Sequence, residues 1–217
     1  MSRYRSTPRC TRPGCCGGSG MWTARPPHGA VWCGSIVTEE AIMSEDYTPQ
    51  PGRVLGEITY RVSGVDFVFV RIERQNGDIV EMAKYPTTQE QYQAIMGKNP
   101  AHFRHGPDAP KRPVESVNWY DSREYAEKLT AAIREQCPDD MLAPDVPFDL
   151  PEDEVWMYCA LAGQDTKFSG SDNALEVGWF AENANGSTQP VGRLKPNAWG
   201  LHDMSGNVWE WTLTEEK

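Results

Sequence analysis

The chain has 217 residues, 39% hydrophobic and 10% aromatic, with 19 Gly, 17 Pro and a formal net charge of −10. That length suits one domain with an extra arm, and no run approaches the roughly 18 apolar residues of a membrane-spanning helix. Charge is uneven: residues 1–42 hold five Arg against two Glu, so residues 43–217 carry −13, a balance that repels phosphate backbones and argues against nucleic-acid binding.

Residues 1–42 show neither helical nor strand periodicity and are rich in Arg, Gly, Pro and Cys; they are predicted to form a disordered arm. The arm contains no apolar core of the roughly 7–15 residues found in a secretory leader, which favours a cytoplasmic protein. Composition changes at Met43, so Met43 (or Met21) is the expected natural start, with 43–56 a linker and 57–217 the domain. Four of the six cysteines (Cys10, Cys15, Cys16, Cys33) lie in the arm. "RPGCCGG" lacks the paired spacing of a zinc site, and free thiols are expected throughout.

From Glu57 the pattern turns to strand. "EITYRV" and "DFVFVRIE" alternate β-branched and aromatic residues, and "QNGD" supplies an Asn-Gly turn into "IVEMAKY". "PTTQEQYQAIMG" predicts a helix, with Thr87 as N-cap, Glu90 completing a capping box, Tyr92, Ile95 and Met96 on one face, and Gly97 closing it. "VNWYDSREYAEKLTAAIREQ" is the longest helical pattern, capped by Asn118, with Asp121 in its first turn and Tyr125, Leu129, Ala132 and Ile133 as its apolar stripe. "FDLPEDEVWMYCALAG" predicts a third helix with Pro151 at its first position, Gly163 closing it, and Val155, Tyr158, Cys159 and Ala162 inward. Beyond residue 164 the reading is loops and short strands dense in Gly, Asn and Trp. The sum is an α+β domain.

Four segments in order, "YPTTQEQYQAIMGKNPAHF", "RPVESVNWYDSREYAEKLT", "LPEDEVWMYCALAG" and "KFSGSDNALEVGWFAENANGSTQPVGRLKPNAWGLHDMSGNVWEW", resemble the formylglycine-generating enzyme, or sulfatase-modifying factor, family over roughly residues 57–212. "PNAWGLHDMSGNVWEW" carries most of the resemblance. It implies a compact variant of the C-type lectin fold. It also implies the activity of the characterised enzymes, which oxidise a cysteine of a client sulfatase to formylglycine with O₂ and a copper ion held by two thiolates.

The same resemblance implies a structural calcium site in that segment, with the side chains of Asp203 and Glu210 and the main-chain carbonyls of Gly206 and Val208 as ligands. Hard oxygens mixing carboxylate and carbonyl suit calcium. The alternative is that Asp203 caps the "MSGN" turn and Glu210 forms a surface pair. A second calcium loop of the family is represented only by Asn183. Trp209 and Trp211, two apart, are expected to share a strand face in the core, with Trp119, Trp156, Trp179 and Trp199 in the core or at its rim. Asp149 stands where the family has an arginine, which implies loss of an internal ion pair.

In the family the copper-binding cysteines follow this segment, within further closing strands. Here only "TLTEEK" follows, so the expectation is a C-terminally incomplete member with no copper site and no assignable catalytic residue. Cys137 and Cys159 sit on predicted helices, and Cys159 reads as a small buried hydrophobe. His102 and His105 in "AHFRHG" lack the third ligand of a facial triad and read as loop residues; His202 reads as a surface residue beside the calcium turn. Three readings stay open: a non-catalytic, calcium-stabilised module binding a protein or peptide partner, a fragment of a copper-dependent oxidase, or an enzyme working by other chemistry.

Overall fold

The computed structural model describes residues 1–4, 50–136 and 146–214. Four antiparallel strands, β1 (Ser2–Tyr4), β2 (Gly52–Val62), β3 (Val65–Arg74) and β4 (Ile79–Ala83), form one sheet in the order β1-β4-β3-β2. Ser63 and Gly64, at φ 52° and 81°, make the two-residue turn between β2 and β3, whose left-handed pair matches the twist of a tight hairpin. "QNGD" turns the chain into β4 as expected, with Gly77 at φ 83°.

Helix α1 (Gln89–Met96) follows, then a single 3₁₀ turn, Ala109–Lys111, then α2 (Trp119–Gln136), α3 (Asp153–Leu161) and the one-turn α4 (Ala174–Val177). The N-cap of α1 is Thr88, not Thr87, and its capping-box partner is Gln91, not Glu90. Thr87 bonds the Tyr125 hydroxyl instead. Asn118 caps α2 reciprocally with Asp121: the Asp121 amide donates to Asn118 Oδ1 at 2.9 Å and the Asn118 amide to Asp121 Oδ2 at 3.3 Å. In α3 the first helical residue is Asp153 and Glu152 is the N-cap, so Pro151 lies just outside the helix; Ala162 closes it in the left-handed conformation.

Strand alternation sends neighbouring side chains of β3 to opposite faces. Phe67 and Phe69 pack with Tyr60, Tyr92, Tyr125, Leu129, Ile133 and Phe148 under α1 and α2. Val70 and Ile72 pack with Val80, Met82, Val155, Trp156, Tyr158 and Cys159 of α3, and with Trp199, Leu201 and Met204 of the following loops. Both sheet faces are therefore covered, and every residue from Val155 to Leu161 is buried. The architecture is α+β, as the pattern predicts.

Several expectations change. The strand runs from Gly52, so the boundary expected at residue 57 lies inside β2. Residues 2–4 of the arm pair with β4 instead of standing free; residues 5–42 of the arm, with its cysteines and Met21, lie outside the described residues, as do Met43 and Cys137. Beyond residue 164 no strand forms among the described residues, only the isolated bridge Phe168–Ser171. Trp209 and Trp211 therefore share no strand face: Trp209 is 49% exposed, while the Trp211 indole donates to the Val117 carbonyl at 3.1 Å. Asp149, where the resemblance implies loss of the family's ion pair, makes one with Arg123 of α2 at 3.0 Å.

Candidate functional site

The segment from Asn197 to Glu210 is shaped by side chains bonding to main chain. Asn197 is 5% exposed. Its amide donates to the Cys159 carbonyl at 2.8 Å and its carbonyl accepts the Trp199 and Leu201 amides at 3.0 and 3.1 Å, which ties the loop to the end of α3. Asn207 grips Gln189 from both sides, accepting its amide and donating to its carbonyl at 2.9 Å each. Such local bonds are how Asn and Asp hold turns without a ladder.

Between these anchors the chain turns with Asp203 and Asn207 both left-handed, at φ 58° and 71°. At Gly206 a Cβ would lie 2.7 Å from the Trp179 carbonyl oxygen, so the turn presses directly on the neighbouring main chain. Asp203 is 2% exposed. Its Oδ2 accepts the Gly192 amide at 2.7 Å, whereas its Oδ1 is buried without a hydrogen-bond partner. Burial pushes its carboxyl above the usual carboxylate range, opposed by the Gly192 amide, His202 and the Asn207 side chain.

Glu210 is engaged differently. Its Oε2 accepts the Trp156 indole N–H at 3.2 Å; burial pushes its carboxyl up, and the Met1 amino group and that indole oppose the shift. The Gly206 carbonyl accepts the Val208 amide at 2.9 Å. Of the expected calcium ligands, Asp203 thus offers a buried oxygen with no donor, a fit for a hard cation. Glu210 and Gly206 would add a cation to contacts they already make. Among the described residues no cluster of three or more His, Cys, Asp and Glu side chains could hold a metal; two carboxylates with main-chain carbonyls would not form such a cluster.

The remaining sequence candidates separate. Asn183 spends its side chain on its own turn, accepting the Phe180 amide at 2.6 Å and donating to the Gly178 carbonyl at 3.0 Å, which leaves the second calcium loop without its one representative. Cys159 is 0% exposed, and burial pushes its thiol up to about 12. It is a buried hydrophobe, as predicted, and not a thiolate. His202 is half-buried, not a surface residue: its Nδ1 meets the Leu194 carbonyl at 3.0 Å and its ring lies 5.1 Å from that of Tyr85.

His102 and His105 line an open cleft of about 500 Å³ together with Arg104 and Arg112. Sequence reasoning missed the two arginines; the signal was the density of basic residues in "AHFRHGPDAPKR". It also missed Asn197, because a single Asn in a loop carries no periodicity to mark it.

Residues 72–217 match the family described as sulfatase-modifying factor enzyme 1-like domain, FGE-sulfatase. Chaperone protein LppX of Paenibacillus barcinonensis is 32% identical over 172 residues, covering 60% of this chain and 60% of that protein. Formylglycine-generating enzyme of Mycobacterium tuberculosis is 36% identical over 80 residues, covering 30% of this chain and 27% of the enzyme. The solved structure of Treponema denticola variable protein 1 aligns with a TM-score of 0.59 at 28% identity, covering 74% of this chain and 77% of that one. The chain thus spans under two thirds of the length of both curated relatives.

Proposed function

The chain belongs to the sulfatase-modifying factor family, and from that premise we propose that it is a binding module for a protein or peptide partner, non-catalytic as it stands, with its Asn197–Glu210 loop stabilised by calcium. The observation that carries the calcium is Asp203 Oδ1, a buried carboxylate oxygen without a hydrogen-bond partner, on a carboxylate that the Gly192 amide, His202 and the Asn207 side chain compensate only in part. Leaving such an oxygen uncompensated costs roughly 1–3 kcal/mol or more. A hard cation bound there would supply the missing positive charge. Asp203 would hold it through Oδ1 while Oδ2 keeps the Gly192 amide; Glu210 and the carbonyls of Gly206 and Val208 complete the donor set.

Two facts support a module over an oxidase. The only thiol among the described residues, Cys159, is buried with its proton held firmly. A relative 32% identical over 172 residues is named a chaperone, a class of protein that acts by binding.

Calorimetric titration with calcium chloride, paired with melting curves in calcium and in EDTA, tests the ion. Calcium at about a hundredfold over its Kd should raise Tm by about 5 °C or more, and Asp203→Asn should abolish both heat and shift. No heat and no shift in the unaltered chain would remove calcium from the reading.

The second reading, part of a copper-dependent formylglycine-generating oxidase, is favoured by relatives that bear that enzyme's name. Incubating the chain with copper, O₂ and a cysteine-containing sulfatase peptide, then following loss of sulfur by mass spectrometry, separates the two. The module should leave the peptide unchanged. Turnover would establish the oxidase.

A further inference from the structure

The body of this chain is strongly acidic, with −13 over residues 43–217, yet one cleft inverts that charge. It lies between the end of α1 and the start of α2, and its volume is about 500 Å³. Arg104, Arg112, His102 and His105 line it with Phe103 and Ser116, and no carboxylate contributes to its wall.

Its walls are fixed from beneath. Gln89, 1% exposed, donates to the Phe103 carbonyl at 3.2 Å and accepts from Asn99 Nδ2 at 3.0 Å. Asn99 in turn accepts the Ala101 amide at 3.0 Å. Ser116 is held at φ 62°, a left-handed conformation uncommon for a residue with a Cβ and frequent where a site is built.

The acids around the cleft are already committed. Glu115 accepts the Phe103 amide on one oxygen at 2.8 Å and the Ser116 hydroxyl on the other at 2.7 Å. Glu90 pairs with Lys111, and Asp108 lies 4.0 Å from Arg193. The half-buried Arg112 is left with a buried Nε that has no acceptor. A guanidinium presents its donors as a fork suited to an oxyanion, so two guanidiniums lining a cleft whose wall holds no carboxylate point to an anionic ligand.

From these features we infer that the cleft binds a small organic phosphate. The phosphate would lie against Arg112 and Arg104, where a doubly charged oxyanion gains more than a singly charged one. The Phe103 and His102 rings, edge to face at 4.9 Å, offer an apolar wall to the organic part. A cleft of this volume is within the range of small-molecule sites and far exceeds what bare phosphate fills.

Calorimetric titration of the full chain with phenyl phosphate, inorganic phosphate and phenol tests the site. Phenyl phosphate should bind tightest, inorganic phosphate more weakly, and phenol not measurably. Arg112→Gln should weaken phenyl phosphate about tenfold or more, the loss of a charge-assisted bond. Arg104→Gln, at an exposed position that keeps the fold intact, should weaken it as well. Asp203→Asn should leave phenyl phosphate binding unchanged, which keeps this site's failure apart from that of the calcium turn. Phenol binding as well as phenyl phosphate, inorganic phosphate binding equally, or unaltered affinity in both arginine variants would overturn the proposal.

Discussion

Between Gly52 and Gln136 the main chain satisfies itself mostly through strand ladders and two helices, apart from the loop that Gln89, Asn99 and Glu115 hold, whereas between Gln164 and Thr214 side chains share that role with scattered main-chain bonds. In the first region β2, β3 and β4 pair residue by residue, and polar side chains mostly cap or face solvent. In the second, the side chains of Asn173, Asn183, Gln189, Asn197, Asp203 and Asn207 each bond main-chain groups. Buried amides and carbonyls must be paired in either case. A ladder shares that duty over many residues, while a loop concentrates it in a few. Single substitutions should therefore cost far more in the loop half than at most sites of the ladder half.

Asn197→Ala is the sharpest test of that contrast. It would strip the partners from the Cys159 carbonyl and from the Trp199 and Leu201 amides at once, beside the core formed with Trp199 and Leu201. The expected loss is about 3 kcal/mol or more by urea unfolding. A loss below that of an ordinary surface change would break the contrast. Gly206→Ala comes next, because its Cβ meets the Trp179 main chain, which cannot swing away as a side chain could. The cost should be about 1–3 kcal/mol. In the ladder half, Thr88→Ala removes one helix cap and should cost about 1 kcal/mol. The ranking matters more than the values: Thr88→Ala proving the costliest of the three would reverse the lesson.

The same division explains what could be read from the sequence. Asn118 was legible as a cap because the helical stripe behind it fixes where α2 begins. Thr87 and Thr88 compete for one cap, and the tertiary bond from Thr87 to Tyr125 decides between them, which no local pattern records. The α+β class follows from strand alternation and helical periodicity. The loop half has no period, so only its motif could be read. That motif singled out Asp203, Gly206, Val208 and Glu210 but not the supporting bonds of Asn197 and Asn207. Trp209 was misplaced because the strand reading supplied a face that the backbone there does not form. Arg104 and Arg112, eight residues apart in the chain, meet only through the loop that Gln89 organises.

The smallest effect at neutral pH carries its own sign test. Tyr92 of α1 stacks on Tyr125 of α2 at 5.3 Å, and its hydroxyl is buried without a partner. Tyr92→Phe deletes that unsatisfied group and keeps the ring, so stability at pH 7 should change by less than about 1 kcal/mol, and toward greater stability. At high pH the difference should grow. Burial pushes the Tyr92 hydroxyl from 10.0 up to about 12, with Asp121 and Glu124 adding to the shift. The folded chain therefore keeps a proton that the unfolded chain gives up near pH 10. A raised value of this kind contributes stability that is present below pH 10 and lost as pH rises toward 12. The phenylalanine variant has no such proton, while Tyr125, pushed up by burial and to a lesser degree by Tyr92, is present in both chains and loses only the Tyr92 contribution, a change of the same sign. Urea midpoints at pH 8 and pH 11 should thus diverge in favour of Tyr92→Phe. Parallel midpoints would mean that water reaches the Tyr92 hydroxyl and that α1 and α2 pack less closely than the stacked rings imply.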